Sequence, residues 1–359
     1  MTTPLARWAN SSASADLPLA VGPAISTARG REAVSVTPVS ALNAPVSSFC
    51  PPAYLRQGLS PPMSDSRSRV AVLISNPAAP AVDAALVAAV RAALPQPMAA
   101  RWLADGIAAE IGFEGEADLA FLRAAIGGQP ADVALLPASG RRKKLFLADM
   151  DSTMIGQECI DELADYAGMK AHVAEITERA MRGEIAFEPA LRERVALLKG
   201  LPLAVVDEVI AERIALTPGG TELVRTMKAN GAHTLLVSGG FTLFTERVAA
   251  MIGFHAHRAN ILLADGESFA GLVEEPILGR EAKLAALIEM REALGLAPAD
   301  TLAVGDGAND LAMIGEAGLG VAYHAKPAVA ASAQVRIDHG DLTALLYLQG
   351  YAASDFVTG

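Results

Sequence analysis

Apolar and polar positions divide the chain into three textures. Up to about residue 65, Ser, Ala and Pro dominate, no period of 2 or 3.6 is sustained, and Cys50-Pro51-Pro52 and Ser60-Pro61-Pro62 interrupt the chain. Such a stretch buries too little apolar surface to offset its ordering entropy, so residues 1–65 are expected to form a disordered tail. Its arginines, Arg7, Arg29, Arg31 and Arg56, outnumber Asp16 and Glu32 in the manner of a transit peptide, but no amphipathic helix accompanies them. Met63 as the true start is the simpler expectation.

The second texture, over residues 66–140, is that of a small folded domain. Val70-Ala71-Val72-Leu73-Ile74 reads as a buried strand, and residues 81–94 carry apolar positions at helical spacing after Pro80. Strands follow near 98–103 and 107–113, then a helix over 116–126 and a strand over 133–136. This β-α-β-β-α-β order is the split βαβ arrangement of ferredoxin-like folds, and it resembles a small-molecule-sensing ACT domain in element order alone. A domain that serves only packing or dimerisation is an equal reading. Residues 138–144, with the run Arg141-Arg142-Lys143-Lys144, read as a solvated connector.

From Leu145 onward strands and helices alternate, which implies a mostly parallel sheet covered on both faces, a doubly wound, Rossmann-like α/β fold. Buried strands are expected at 145–148, 234–237 and 301–304, with weaker ones at 319–322 and 335–337. Between the first two lies a helical insertion, about 156–227, too long for an ordinary crossover; it should form a cap over the sheet. Asp265-Gly266 between two strand-like runs predicts a hairpin within 261–269.

Composition narrows the function. The chain has 359 residues, room for two domains, and 29 Lys plus Arg against 40 Asp plus Glu give a net charge of −11. That balance repels polyphosphate backbones and anionic lipid, so neither nucleic acid nor membrane is an expected partner, and a phosphate-handling site needs local cations. Hydrophobic residues reach 52% but aromatics only 5%, which fits small-residue helices packed on a sheet. No apolar run is long enough to span a bilayer and no signal peptide opens the chain, so a cytoplasmic location is expected. Cys50 and Cys159 offer neither a disulfide framework nor a metal-binding spacing.

The chemistry gathers at strand ends. Asp149-Met150-Asp151-Ser152-Thr153 follows the first parallel strand, Ser238-Gly239-Gly240 the second, and Gly305-Asp306-Gly307-Ala308-Asn309-Asp310 the third, with Lys283 on the helix after the hairpin. Carboxyl ends of parallel strands are where open α/β sheets bind ligands. Taken alone, Ser238 reads as a helix cap and Lys283 as a surface lysine; the set taken together favours chemistry. In order and spacing these residues resemble the four motifs of the haloacid-dehalogenase-like phosphohydrolase superfamily, over about Leu145 to the C-terminus.

That resemblance implies a role for each. Asp149 would be the nucleophile, giving an aspartyl-phosphate. Asp151, two residues on, would act as general acid and then base; the dehalogenase and ATPase branches lack an Asp there, which favours phosphate-ester hydrolysis. Mg²⁺ would be held by Asp149, Asp306 and the backbone carbonyl of Asp151, with Asp310 behind the ligands and Asn309 beside the substrate. Lys283, the Ser238 hydroxyl and the Gly239 amide would bind the phosphoryl oxygens.

The cap carries a narrower resemblance. Gln157-Glu158-Cys159-Ile160-Asp161, the run from Thr177 to Gly183 and the run from Phe187 to Val195 resemble the phosphoserine phosphatase family. By that resemblance Glu158 would receive a substrate ammonium and Arg194 a carboxylate, a pairing suited to an amino-acid phosphate. Met181 and Phe187 would wall the site from water. On helix statistics alone Glu158 is a first-turn acid and Arg194 part of a solvated face with Arg192 and Glu193. The expectation is a Mg²⁺-dependent hydrolase of O-phospho-L-serine, final step of L-serine biosynthesis, with phosphohomoserine or a non-catalytic amino-acid sensor as alternatives and a homodimer left open.

Overall fold

The computed structural model describes residues 68–181 and 184–358. The tail expected over residues 1–65, Cys50 and Met63 therefore lie outside the described residues.

The first elements are β1 (Ser68–Ser75), α1 (Ala84–Ala92), β2 (Pro97–Ala104), β3 (Ala108–Glu114), α2 (Leu119–Ala125) and β4 (Ala131–Pro137). They build a four-stranded sheet in the order β2-β3-β1-β4, with β1 antiparallel to both β3 and β4. Helix α1 starts later than Pro80 suggests because Asp83 accepts the Leu86 amide at 2.7 Å and caps it there. Asp118 does the same for α2, accepting from Ala120 at 2.8 Å. One sheet face, with Ala71, Leu73, Ile111 and Phe113, packs under Leu86, Val90 and Leu122 of the two helices. The opposite face, with Val70, Val72, Ile74 and Leu136, is buried in one cluster with Leu342 and Leu345 from the other end of the chain.

The connector is not solvated along its whole length. Arg141 is 10% exposed, donates from Nε to the Leu348 carbonyl at 2.9 Å and from Nη2 to Tyr347 at 3.0 Å, and pairs with Glu110 of β3 at 2.7 Å. Its guanidinium ties the small sheet to α12 (Ala344–Leu348), whose last carbonyls it satisfies. A run of four cations suggests uniform exposure because none of this one's partners is adjacent in sequence: Glu110 lies 31 positions away and Tyr347 and Leu348 lie 206 and 207 positions away.

The larger sheet has six parallel strands in the order β12-β11-β10-β5-β6-β7: β5 (Leu145–Ala148), β6 (His233–Phe241), β7 (Ala256–Asn260), β10 (Thr301–Gly305), β11 (Leu319–Tyr323) and β12 (Val335–Ile337). The central strands β5, β10 and β11 are buried, mainly apolar runs because helices cover both faces, whereas the edge strand β7 carries His257 and Arg258. From β5 the chain first moves outward through β6 and β7 and later returns to β10 on the other side. The strand order therefore reverses between β5 and β10, and the carboxyl ends open into a crevice there.

After β5, helices α3 (Cys159–Tyr166), α4 (Lys170–Met181), α5 (Phe187–Ala196) and α6 (Val205–Glu212) stand off the sheet. They are framed by an antiparallel bridge between Ile155 and Leu216 and by hydrogen bonds from Gly156 to Ala215 and from Thr217 to Met154. Helix α7 (Gly220–Ala229) packs back on β6 and on α8 (Thr242–Ile252). The expected hairpin is present as β8 (Leu262–Asp265) and β9 (Ser268–Val273), joined by Gly266 and Glu267. It braces the helical insertion, since Pro202 bridges Ser268 and Gly200 donates to Phe269. Helix α9 (Arg280–Ala293) leads into β10, and α10 (Leu311–Glu316) and α11 (Pro327–Ser332) complete the crossovers. Among the described residues no helix is long and apolar enough to cross a membrane.

Candidate active site

The crevice between β5 and β10 holds the sequence-derived residues together. Asp149 leaves β5 at 5% exposure, and its Oδ1 accepts the Met150 amide at 2.7 Å. Lys283, on the first turn of α9 and 2% exposed, sets its ammonium 2.7 Å from Asp149 Oδ1 and 2.7 Å from Asp310 Oδ1. Asp310 is fully buried, and its second oxygen accepts the Gly307 amide at 3.1 Å. The glycine at 305 permits this: a Cβ there would lie 2.3 Å from Asp310 Cγ. Thr153 donates to Asp306 at 3.1 Å and holds that carboxylate facing the same space.

Asp149, Asp306 and Asp310 each offer an oxygen within 4.8 Å of the others. Within that cluster both Asp310 oxygens are engaged, by Lys283 and by the Gly307 amide. The Asp151 carboxylate is not part of that cluster. Three carboxylates share the single ammonium of Lys283, an excess of acidic oxygens that a further cation would offset. The donors are all oxygen, and that set and that charge fit a hard divalent cation such as Mg²⁺.

Burial raises the pKa of Asp149 well above the ordinary carboxylate range; the Lys283 charge opposes this and the Asp310 charge adds to it. Asp306 is pushed up to about 6, again by burial first and the Asp310 charge second. For Lys283 burial disfavours the ammonium, yet the two carboxylates outweigh it and keep the group charged above its ordinary range.

Asp151 lies beside the second strand end, where a Cβ on Gly240 would come within 2.9 Å of its Oδ2 and 3.0 Å of Ser238 Oγ. Burial, with the Glu158 charge, raises its pKa to about 7. The Cys159 amide at the start of α3 donates to it at 3.4 Å, so this cysteine, unremarkable in sequence, sits against the Asp151 carboxylate. Ser152, directly after Asp151, has φ of +55°, a left-handed conformation uncommon for a residue other than glycine. Its hydroxyl donates to Glu158 at 2.7 Å, which ties the helical insertion to this loop. Ser238 is 2% exposed and its Oγ accepts the Gly240 amide at 2.8 Å.

The helical insertion carries three further predicted residues. Phe187 opens α5 with its ring against Gly239 and Gly279, where added Cβ atoms would meet it at 3.5 and 3.6 Å. Arg194, one helical stretch later, donates from Nε to the Ala190 carbonyl at 3.2 Å. Its pKa is lowered by burial and partly restored by the charges of Asp161 and Glu158, so an anion and a cation face the same region. Met181 ends α4, and its side chain lies outside the described residues. Asn309 is half-buried in the turn after β10.

One residue here escaped the sequence reading. Asn260, at the end of β7 and 2% exposed, hydrogen-bonds both the Gly239 carbonyl and the Leu278 backbone. A short strand with His257 and Arg258 gives little apolar signal; an Asn at the carboxyl end of a strand beside the crevice was the available clue.

The chain is similar to known proteins in sequence and in fold. The family profile of haloacid dehalogenase-like hydrolases matches residues 146–315. A phosphoserine phosphatase of a Polaromonas species is 51% identical over 210 residues, 57% of this chain and 89% of that one. The solved structure of a probable phosphoserine phosphatase from Vibrio cholerae, in unliganded form, superposes with a TM-score of 0.66 at 30% identity over 80% of this chain and 88% of that one. That share is too large for the segment from Leu145 onward alone. A phosphoserine phosphatase solved as a phospho-aspartyl intermediate analogue superposes with a TM-score of 0.54 at 39% identity, over 57% of this chain and 98% of that one. The chain belongs to the phosphoserine phosphatase family of haloacid dehalogenase-like hydrolases.

Proposed function

We propose that the chain hydrolyses O-phospho-L-serine to L-serine and phosphate through an aspartyl-phosphate on Asp149, with Mg²⁺ at the carboxylate cluster. The observation that carries this reading is the buried contact of Asp149 with Lys283 beneath a helical insertion bearing Glu158 and Arg194.

In the first step an Asp149 oxygen attacks phosphorus, the ester P–O bond breaks, and Asp151 gives its proton to the departing serine oxygen. Burial that keeps Asp151 protonated near neutrality suits this role. In the second step Asp151 takes a proton from water, whose oxygen attacks phosphorus and releases Asp149 with inorganic phosphate. Lys283, the Ser238 hydroxyl and the Gly239 amide hold the phosphoryl oxygens, fixed in place before charge develops on them. Asp149, Asp306 and the Asp151 carbonyl, with Asp310 alongside, would hold Mg²⁺, which screens the nucleophile from the anionic phosphate when bound.

Arg194 would take the substrate carboxylate, and Glu158 the ammonium. Phe187 and Met181 would exclude water, and Asn309 would orient the bound ester. The order β2-β3-β1-β4 of the small sheet supports reading it as ACT-like.

A panel of phosphomonoesters assayed with and without Mg²⁺ tests the proposal. Phosphoserine should give the fastest phosphate release and chelation should abolish it; preference for a sugar phosphate or nucleotide contradicts the assignment.

A further inference from the structure

We propose that Asn260 is a positioning residue that aims the Ser238 hydroxyl at the phosphoryl group. This rests on the reading of Ser238 as a phosphoryl contact and extends it to a residue that touches no substrate.

The ladder between β6 and β7 is interrupted where the chemistry begins. Val237 pairs with Arg258 and Phe241 with Asn260, so three residues of β6, Ser238 to Gly240, face a single residue of β7. Backbone groups in that bowed segment lose their ladder partners, and a buried polar group without a partner is costly. The Asn260 carboxamide replaces the missing strand. Its Nδ2 donates to the Gly239 carbonyl at 2.8 Å and to the Leu278 carbonyl at 3.2 Å, while its Oδ1 accepts the Leu278 amide at 2.6 Å. Both amide protons and the oxygen are used, which fixes the side chain against Leu278, just before α9.

The consequence passes through one peptide plane. The Gly239 carbonyl and the Gly240 amide belong to the same trans peptide and point in opposite directions. Holding the carbonyl toward Asn260 turns the Gly240 amide toward Ser238 Oγ, to which it donates at 2.8 Å. With one lone pair of Oγ engaged by that amide, the hydroxyl proton is left to donate away from the backbone, beside Gly240 where Asp151 Oδ2 also lies. Without Asn260 the flexible Gly239-Gly240 peptide can rotate and Ser238 loses its orientation. Asn is suited to the position because it presents donor and acceptor together; Asp would set an oxygen against two carbonyls.

A double-mutant cycle read by orthovanadate binding tests this. Vanadate affinity in Mg²⁺ buffer is measured by calorimetry for the full chain, Ser238→Ala, Asn260→Ala and the double variant, with melting curves to establish that each is folded. Each single change should weaken vanadate about tenfold, the range for one hydrogen bond to a charged group. In the Ser238→Ala background Asn260→Ala should add less than about twofold, because the residues act as one unit. An equal loss in both backgrounds, or no loss, overturns the proposal. Asn260→Ser, which keeps a small polar side chain, carries the same cycle should the alanine variant fail to fold. If the wild type hydrolyses phosphoserine and the cycle is additive, only the role of Asn260 falls. If another ester is preferred and the cycle is non-additive, only the substrate reading falls.

Discussion

Lys283 and Asp149 come from elements 134 positions apart and meet at 2.7 Å with both side chains under a tenth exposed. The same ammonium reaches Asp310 at 2.7 Å, so one lysine screens two buried carboxylates from each other. Replacing it with Met leaves both unpaired. Turnover of Lys283→Met should fall on the order of 10²–10³-fold, the loss expected when a preorganised cation at a reacting phosphoryl group is removed. The melting temperature should fall as well, because breaking a buried pair costs about 3–5 kcal/mol. Initial rates and thermal melts check both.

Arg194 is held to its own helix by the Ala190 carbonyl and faces the charges of Asp161 and Glu158. Arg194→Ala should raise KM for phosphoserine roughly thirtyfold, about 2 kcal/mol for a charge-assisted carboxylate contact. Hydrolysis of an ester that lacks a carboxylate, such as p-nitrophenyl phosphate, should change less than about twofold. Equal losses on both esters would remove Arg194 from carboxylate recognition.

Much of the site could be read from the sequence because its parts are short and contiguous. The first motif follows a four-residue apolar strand without a break, and the third strand runs directly into Gly305-Asp306-Gly307. Contacts between segments could not be read this way. Arg141 looked solvated among four cations because Leu348 and Tyr347 lie far along the chain. Asn260 was missed because its function depends on a bow in β6, which periodicity does not encode. The place of Asp310 within the carboxylate cluster follows from the close approach that Gly305 permits, a matter of three-dimensional spacing.

Arg141 gives a stability prediction separable from catalysis. Its two bonds to α12 and its pair with Glu110 are largely shielded from water. Arg141→Ala should lower unfolding free energy by about 2–4 kcal/mol, with kcat unchanged at temperatures where the variant stays folded. Urea titration and steady-state assays check the two halves.

His255 supplies a pH dependence. Its Nδ1 accepts from the Thr234 amide at 3.2 Å, its ring stacks on His233 at 4.7 Å, and its pKa is lowered from 6.5 to about 4 by burial, by Lys228 and by His233. The unfolded chain takes up this proton first, so acidification through that window favours unfolding. Melting temperature should drop between pH 6.5 and 4, and His255→Gln should show a shallower drop. Parallel curves for the two proteins would contradict this.

The central claim is that Asp149 forms a covalent bond to phosphorus. Rapid acid quench of the enzyme with ³²P-phosphoserine, followed by peptide mapping, measures this directly. The account predicts label on the peptide that carries Asp149, chased by unlabelled substrate at a rate no slower than turnover, and absent from Asp149→Asn along with turnover. Label on a different residue, or full turnover by Asp149→Asn, would contradict it.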